Sequence, residues 1–253
     1  MELQQVKTID EIIVLLEDIV VESIKNNDSA GYFAALYQKV TIHVKVGITS
    51  GFFDDGPLME QLDVAFAKRY LQAFDDYQKN KLVTEVWKKA FDLSDNYWPI
   101  VLQYLLLGMN AHINLDLGIA AAQTSKGENL KNLENDFNKI NNILSILVHE
   151  VENDLSVVWP VLKYILKWTG KIDDYLVDFS MKLARDGAWK FANELDQAAE
   201  NEVETLIAER DRKVVNVVRF ILNSGFIASL ALRVIRITER GSVSERIQAL
   251  RQK

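Results

Sequence analysis

The sequence predicts an all-α protein, and three observations lead to that prediction. Only 3 prolines and 11 glycines occur among the 253 residues, so turns are few and the elements between them are long. Hydrophobic residues make up 49% and charged residues 26% of the chain, which is typical of a folded globular protein. Apolar residues recur at helical spacing through most of the chain. We therefore expect one domain, residues 1–253, with about ten helices around a buried central helix at about 97–125.

Local capping signals predict the first three helices. Thr8 and Glu11 have the spacing of a capping box, and an apolar stripe follows them. Ser29 can cap the second helix, whose end, residues 40–48, alternates β-branched residues as a strand would. A lone strand would have no pairing partner, so we predict a helix there as well. Residues 54–57 are Asp-Asp-Gly-Pro, which predicts a turn and a cap before the third helix.

The rest of the chain predicts further helices, with glycine and proline at several of their boundaries. We expect them at residues 83–91, 99–122, 130–158, 160–170, 173–195, 203–222 and 226–238, with a final helix capped by Ser242 or Ser244. No linker rich in proline, glycine or serine divides the chain, so we expect the helices to share one domain.

Four polar residues interrupt the apolar run of the central helix. At about 100° per residue, Asn110 and Asn114 share one side of this helix, whereas His112 and Asp116 share the opposite side. The rest of the circumference is apolar, as in a buried helix. A buried polar group without a partner costs about 1–3 kcal/mol. We therefore expect these four residues, which we call the polar seam, to find partners inside the protein.

Several interpretations of the polar seam remain open. It can be a structural network that fixes helix packing, or it can bind a small ligand. Asp116 lies four residues after His112, so it could orient the imidazole for acid–base chemistry, and both could face one metal ion. Catalytic zinc usually has three protein ligands, however, and the chain has three histidines and no cysteine. We therefore predict no metal and no other cofactor.

Two arginines are candidate partners for Asp116. Arg69 follows Phe66 at helical spacing, and Arg185 precedes Trp189 by four residues, so each can point inward with its apolar neighbour. Arginine suits a buried carboxylate because it stays charged and can pair with both oxygens. We predict that Asp116 is ionised in the core, within salt-bridge reach of Arg69 or Arg185. A surface salt bridge is the alternative for each arginine.

Four segments resemble a bacterial family of all-helical proteins of unknown function. They are FFDD at 52–55, LDVAFAKRYL at 62–71, LLGMNAHINLDL at 106–117 and ARDGAW at 184–189, and the stretch GMNAHINLDLGIA is the most specific. The resemblance covers about residues 31–195. It implies helices and a shared polar seam, with Arg69 and Arg185 among the family-like residues. It implies no activity, because none is established for the family.

Charge is unevenly distributed along the chain. The formal net charge is −7, but residues 212–253 carry nine Lys/Arg and two acids, which gives +7 there and −14 elsewhere. An acidic body disfavours nucleic acid as a partner. We expect the basic helices at 203–253 to pack on that body through an apolar stripe and not on lipid. The predicted stripe comprises Val214, Val217, Val218, Ile221 and Leu222 and then Leu230, Val234 and Ile237.

The sequence predicts neither a secretory signal nor a transmembrane segment. The N-terminus lacks a basic region followed by an apolar core. The uncharged run at 96–115 reaches the roughly 20 residues that a span needs, but it contains Asn96, Gln103 and most of the polar seam, which are costly in lipid. We therefore interpret it as a core helix and expect a cytoplasmic protein without peripheral membrane contact.

Three classes of function remain open. The first is a helical protein whose polar seam is structural or binds an unknown small molecule. The second is a hydrolase-like enzyme, with or without a metal, centred on His112 and Asp116. The third is a peripheral membrane or partner-binding protein that uses the basic C-terminal helices. Substrate and oligomeric state do not follow from the sequence.

Overall fold

Eleven α-helical segments make up most of the described part of the chain, which comprises residues 2–126, 129–158, 181–222 and 225–251 of this computed structural model. The segments are α1 (Ile9–Asn26), α2 (Gly31–Thr49), α3 (Gly56–Gln78), α4 (Glu85–Phe91), α5 (Val101–Ala111), α6 (Leu117–Thr124), α7 (Lys131–Val158), α8 (Met181–Gln197), α9 (Glu200–Leu222), α10 (Gly225–Thr238) and α11 (Val243–Arg251). No strand occurs in these ranges, so the all-α prediction is confirmed, including the strand-like residues 40–48. The helix predicted at 160–170 and the beginning of the one predicted at 173–195 lie outside the described residues.

Side-chain caps explain where the first helices begin. The Thr8 hydroxyl accepts from the backbone N–H of Glu11 at 3.3 Å, and the Glu11 carboxylate accepts from the N–H of Thr8 at 2.9 Å. This is the predicted capping box of α1. Asp55 caps α3 by accepting from the N–H of Leu58 at 3.0 Å, also as predicted. The predicted cap by Ser29 is wrong, because α2 begins without a side-chain cap.

The predicted central helix is continuous and buried. It consists of α5, a π-helical turn (His112–Asp116) and α6, which together span Val101–Thr124. Among the described residues it is the one helix that is long and apolar enough to cross a membrane, and 83% of its most apolar stretch is buried within the protein. Two hydrophobic clusters meet along it. Among the described side chains, the larger contains buried residues of every helix except α7. The smaller contains buried residues of α1, α2, α3, α6, α7 and α8.

Two glycines let neighbouring helices approach the central helix closely. A Cβ atom on Gly108 would lie 2.3 Å from the Phe33 ring of α2. A Cβ atom on Gly118 would lie 2.8 Å from the backbone oxygen of Ala188 in α8. Real Cβ contacts do not occur at these distances, so both positions require glycine for this packing. The contact at Gly108 places an aromatic ring of α2 beside the polar seam.

The C-terminal helices pack on the body through α9 and α11. Val214, Val218 and Ile221 of α9 are buried, as the predicted stripe requires, and α11 buries Ile247 and Leu250. These five side chains belong to the larger cluster. The packing face of α9 therefore agrees with the prediction.

The continuation of that stripe along α10 is wrong. Val234 and Ile237 are exposed, and Ile235 is buried in their place. The side chain of Leu230 is not among those that the structure describes. The buried Glu239 explains why α10 turns Ile235 and not Val234 and Ile237 toward the body. Its carboxylate accepts from the backbone N–H of Val101 at 2.9 Å, at the start of the central helix. Residues four apart share a helix face, so the bond made by Glu239 turns Ile235 inward as well.

Candidate functional site

A π-helical turn brings His112 and Asp116 side by side. The backbone N–H of Leu117 donates to the carbonyl of His112, five residues back, where an α-helix would bond four residues back. The wider turn places side chains four residues apart more nearly above one another. His112 Nδ1 accordingly lies 3.5 Å from Asp116 Oδ2. Such turns occur frequently at functional sites, which makes this segment the first candidate.

Asp116 is the anchored member of the pair. Arg69 Nε donates to its Oδ1 at 2.8 Å, and Trp87 Nε1 donates to its Oδ2 at 2.7 Å. The predicted ion pair with Arg69 is therefore present. Burial alone would raise the pKa of Asp116, but the charge of Arg69 and the contacts with His112 and Trp87 outweigh it and lower that pKa below its ordinary value. Asp116 is thus ionised at neutral pH.

His112 lies among aromatic rings. The Phe66 ring stacks on the imidazole with centroids 3.5 Å apart and planes inclined by 6°, and the Tyr37 ring meets it edge-on at 4.4 Å. Neither ring nitrogen has a hydrogen-bond partner among the described residues. Burial lowers the pKa of His112, and the nearby Asp116 offsets only part of that effect. The imidazole is therefore neutral at neutral pH.

Two more buried polar groups belong to this part of the core, Tyr37 beside the imidazole and Asp63 close to Tyr37, and sequence reasoning missed both. The Tyr37 hydroxyl and Asp63 Oδ2 have no hydrogen-bond partner in the part of the chain that is described. Burial raises the pKa of Tyr37, and the charges of Asp63 and Asp116 raise it further, as expected for a hydroxyl near both carboxylates. Burial and then Glu60 raise the pKa of Asp63 to about 7.

The asparagine side of the polar seam makes structural contacts. Asn110 Nδ2 donates to the backbone oxygen of Val214 in α9 at 3.2 Å, and Asn114 Nδ2 donates to Asn110 Oδ1 at 3.0 Å. Arg210 of α9, which sequence reasoning did not single out, donates through Nε to the backbone oxygen of Asn114 at 2.8 Å. The two asparagines thus attach the central helix to α9, on the side opposite His112.

Arg185 does not join the site. It is buried in α8 and donates to the backbone oxygen of Phe137, with its guanidinium carbon 4.4 Å from the centre of that ring. Burial lowers the pKa of Arg185 to about 10, and Asp186 partly offsets this effect. The predicted alternative pairing with Asp116 is therefore wrong for Arg185, because the cluster around Phe137 holds its side chain.

Comparison with protein families identifies the family of this chain. The model described as "Family of unknown function (DUF5995)" matches residues 9–224. The chain belongs to DUF5995. The match contains the whole polar seam and extends beyond the residues 31–195 that the sequence resemblance covered. Comparisons with the curated proteins and with the solved structures gave no significant match.

We predict that this DUF5995 protein carries no stoichiometric transition metal. Within the described ranges, no group of three or more His, Asp or Glu residues comes together as a metal site. Both Asp116 oxygens already accept hydrogen bonds from Arg69 and Trp87, which leaves His112 without a free carboxylate partner for an ion. Elemental analysis of the purified protein should therefore give far less than one metal per chain. One zinc per chain, lost in His112→Ala, would contradict the prediction.

The raised pKa of Asp63 predicts a pH-dependent stability in this DUF5995 protein. Between about pH 4 and pH 7 the folded protein keeps the Asp63 proton, whereas the unfolded chain releases it, so wild-type stability falls as pH rises. Asp63→Asn removes this loss. The free energy of unfolding of the variant minus that of the wild type should therefore rise by about 2–3 kcal/mol from pH 5 to pH 8.

Urea unfolding of both proteins at several pH values measures this difference. Other titrating groups, His112 included, are shared by the two proteins, so their effects cancel in the comparison. Parallel pH profiles for wild type and Asp63→Asn would show that Asp63 is not a buried, protonated acid.

Proposed function

We propose that this protein binds a small, uncharged polar molecule in its core beside His112. The observation that carries the proposal is a buried imidazole whose two nitrogens both lack a hydrogen-bond partner among the described residues. A neutral imidazole has one N–H donor and one acceptor nitrogen. Leaving such groups buried and unpaired costs about 1–3 kcal/mol each, and buried polar groups in folded proteins are nearly always paired.

Asp116 alone does not provide hydrogen-bond partners for the two nitrogens of His112. Its oxygens accept from Arg69 and Trp87, and its distance to His112 Nδ1 is 3.5 Å, at the limit of a hydrogen bond. A bound molecule that offers both an acceptor and a donor would satisfy the imidazole. The Tyr37 hydroxyl, which has no hydrogen-bond partner among the described residues, offers it one further contact.

The charges of the site favour an uncharged ligand. The negative charge of Asp116 is balanced by Arg69, and His112 is neutral because burial lowers its pKa. A charged ligand would lose its hydration without gaining an opposite charge. Arg69 joins the buried Asp116 to the protein surface, because its side chain is 25% exposed.

Acetamide is a suitable probe, because it is small and uncharged and carries both an N–H donor and a carbonyl acceptor. We expect the ring ¹⁵N signals of His112 to shift saturably when acetamide is added to the full-length protein. The signals of His43 provide the internal control, because that half-exposed ring lies on the surface of α2 and contacts the Lys39 backbone oxygen. The His112 response should persist in His43→Ala.

Native mass spectrometry of the freshly purified protein gives a second readout. A bound molecule should appear as an added mass on wild type and His43→Ala and should be absent from His112→Ala. Unchanged His112 signals at saturating acetamide, together with a spectrum free of added mass, would overturn the proposal in favour of a purely structural polar seam.

An acid–base enzyme is the second candidate function. It is favoured by the neutral His112 beside an ionised carboxylate. Because its pKa is lowered, the imidazole is still unprotonated somewhat below neutral pH and can act there as a proton acceptor. Asp116, fixed by two donors, would orient the ring. Hydrolysis of p-nitrophenyl acetate that is lost in His112→Ala and kept in His43→Ala would support this candidate, and equal rates in all three proteins would reject it.

A further inference from the structure

We infer that the outer face of α10, together with the loop before the central helix, binds the surface of a bilayer that contains anionic lipids. This α10 surface consists of Tyr97, Trp98, Arg233, Val234, Ile237 and Arg240. It is separate from the proposed site at His112, so either proposal can fail without the other.

The α10 surface groups four large apolar side chains that are each at least half exposed. Val234 and Ile237 are 50% and 71% exposed, one helical turn apart. Tyr97 and Trp98, two consecutive aromatic residues, are 66% and 50% exposed. The sequence predicted that Val234 and Ile237 would pack on the body, and this was one reason, beside the opposite charges of the two parts of the chain, to expect no lipid contact. Their exposure removes that reason.

Arginine contacts join the loop and the helix into one surface. The Arg233 guanidinium lies 5.2 Å from the centre of the Trp98 ring, and that of Arg236 lies 4.6 Å from the centre of the Tyr97 ring. Arg236 Nε also donates to the backbone oxygen of Tyr97 at 2.6 Å. The aromatic pair and the aliphatic pair are therefore neighbours.

The charges of this surface point to an anionic bilayer. Arg233 and Ile237 are four residues apart and share a face of α10, and the exposed Arg240 follows two residues after the helix ends, so exposed cations precede and follow the aliphatic pair. The nearby Glu239 is buried and paired with Arg236 and Arg246, so it does not offset them at the surface. Residues 212–253 carry +7 against −14 elsewhere, so α10 belongs to the part of the chain that anionic headgroups would attract most.

Other features of the surface agree with shallow contact at the headgroup level. Tryptophan and tyrosine concentrate at membrane–water interfaces, where one end of the ring is apolar and the other is hydrated. The α10 helix has 14 residues, fewer than the roughly 20 that a span needs, so it would lie on the bilayer and not cross it. A two-fold contact between copies would instead bring the same arginine-containing surface of both copies together.

Vesicle flotation of the full-length protein tests the inference. We expect at least about tenfold more protein bound to vesicles with about one-third phosphatidylglycerol than to pure phosphatidylcholine at about 0.05 M salt, and less binding at about 0.5 M salt. The double variant Val234→Ser/Ile237→Ser should lose most of the binding. The matched control Val14→Ser/Val46→Ser, which changes two equally exposed valines on α1 and α2, should keep it.

Three results would overturn the inference. These are no preference for anionic vesicles, equal binding by Val234→Ser/Ile237→Ser and wild type, or self-association of the wild type that this variant abolishes while neither protein binds vesicles. The last result would assign the surface to a second copy of the chain. Thermal unfolding at the wild-type temperature verifies that each variant is folded.

Discussion

Replacing Asp116 with alanine should lower the free energy of unfolding by about 3–5 kcal/mol, the range for breaking a buried ion pair. Arg69 and Trp87 would both lose their acceptor, and the Trp87 indole N–H would remain buried without a partner. Part of the Arg69 charge can reach solvent, which favours the lower end of the range. Asp116→Asn keeps the shape and one acceptor oxygen, so we expect a smaller loss for it.

The effect of Asp116 should depend on pH in a defined direction. Because the folded protein lowers the pKa of Asp116, its stabilising contribution is present above the ordinary value near 4 and is lost as pH falls through the lower folded value. Urea unfolding at pH 7 and in acid should therefore show a difference between wild type and Asp116→Ala that shrinks in acid.

A surface ion pair provides the matched control for this measurement. In α8, Asp186 pairs with the exposed Lys182 at 3.0 Å. Such surface pairs contribute at most about 1 kcal/mol to the free energy of unfolding. Asp186→Ala should thus have little effect on stability. A loss below about 1 kcal/mol for Asp116→Ala as well would contradict the burial and pairing that the structure gives to Asp116.

Ending the chain at Asp211 should prevent folding to the native state. The truncation removes the buried Val214, Val218 and Ile221, and buried apolar area stabilises by about 25 cal/mol per Å². It also removes backbone acceptors from the core, because Asn110 donates to Val214 and Gln103 Nε2 donates to Ile221 at 2.9 Å. The product should be insoluble or molten, without a cooperative thermal transition.

The full-length Val234→Ser/Ile237→Ser variant is the control for this truncation. It changes the same C-terminal region but only at exposed positions, so its thermal transition should match that of the wild type. A chain ending at Asp211 that unfolds cooperatively at the wild-type temperature would show that the C-terminal helices do not complete the core.

The sequence predicted the helices well because helical signals are local. The capping box at Thr8, the turn at 54–57 and the two-sided polar seam each depend on spacing within about one turn, and the structure has all three. Residues 40–48 are the exception, because their local sequence is strand-like, and they are helical in a protein whose described part has no strand to pair with them.

The composition of the site could be predicted only in part, because its other members come from separate helices. Arg69 and Arg185 each followed the same local pattern, and only the tertiary positions of α3 and α8 decide which one reaches Asp116. Trp87 and Tyr37 look like ordinary core aromatics in the sequence. The π-helical turn has no local signal that separates it from the α-helix around it.

The face that α10 turns inward was also beyond local reasoning. The segment has apolar residues on more than one face, and the choice between Ile235 and the pair Val234 and Ile237 depends on Glu239 reaching the N–H of Val101. That contact joins residues 138 positions apart in the chain. No periodicity within α10 carries this information.

The π-helical turn lies between the two glycines that let other helices approach the central helix. Gly108 before the turn admits the Phe33 ring, and Gly118 after it admits the backbone of Ala188. The hydrogen bond of a π-turn spans five residues and that of an α-turn spans four, so the turn takes up one extra residue while the α-helix continues on either side of it. Deleting one residue between 112 and 116 would therefore keep both glycines facing their neighbours but would leave His112 and Asp116 only three residues apart, so the extra residue serves the contact between these two side chains and not the packing of the helix.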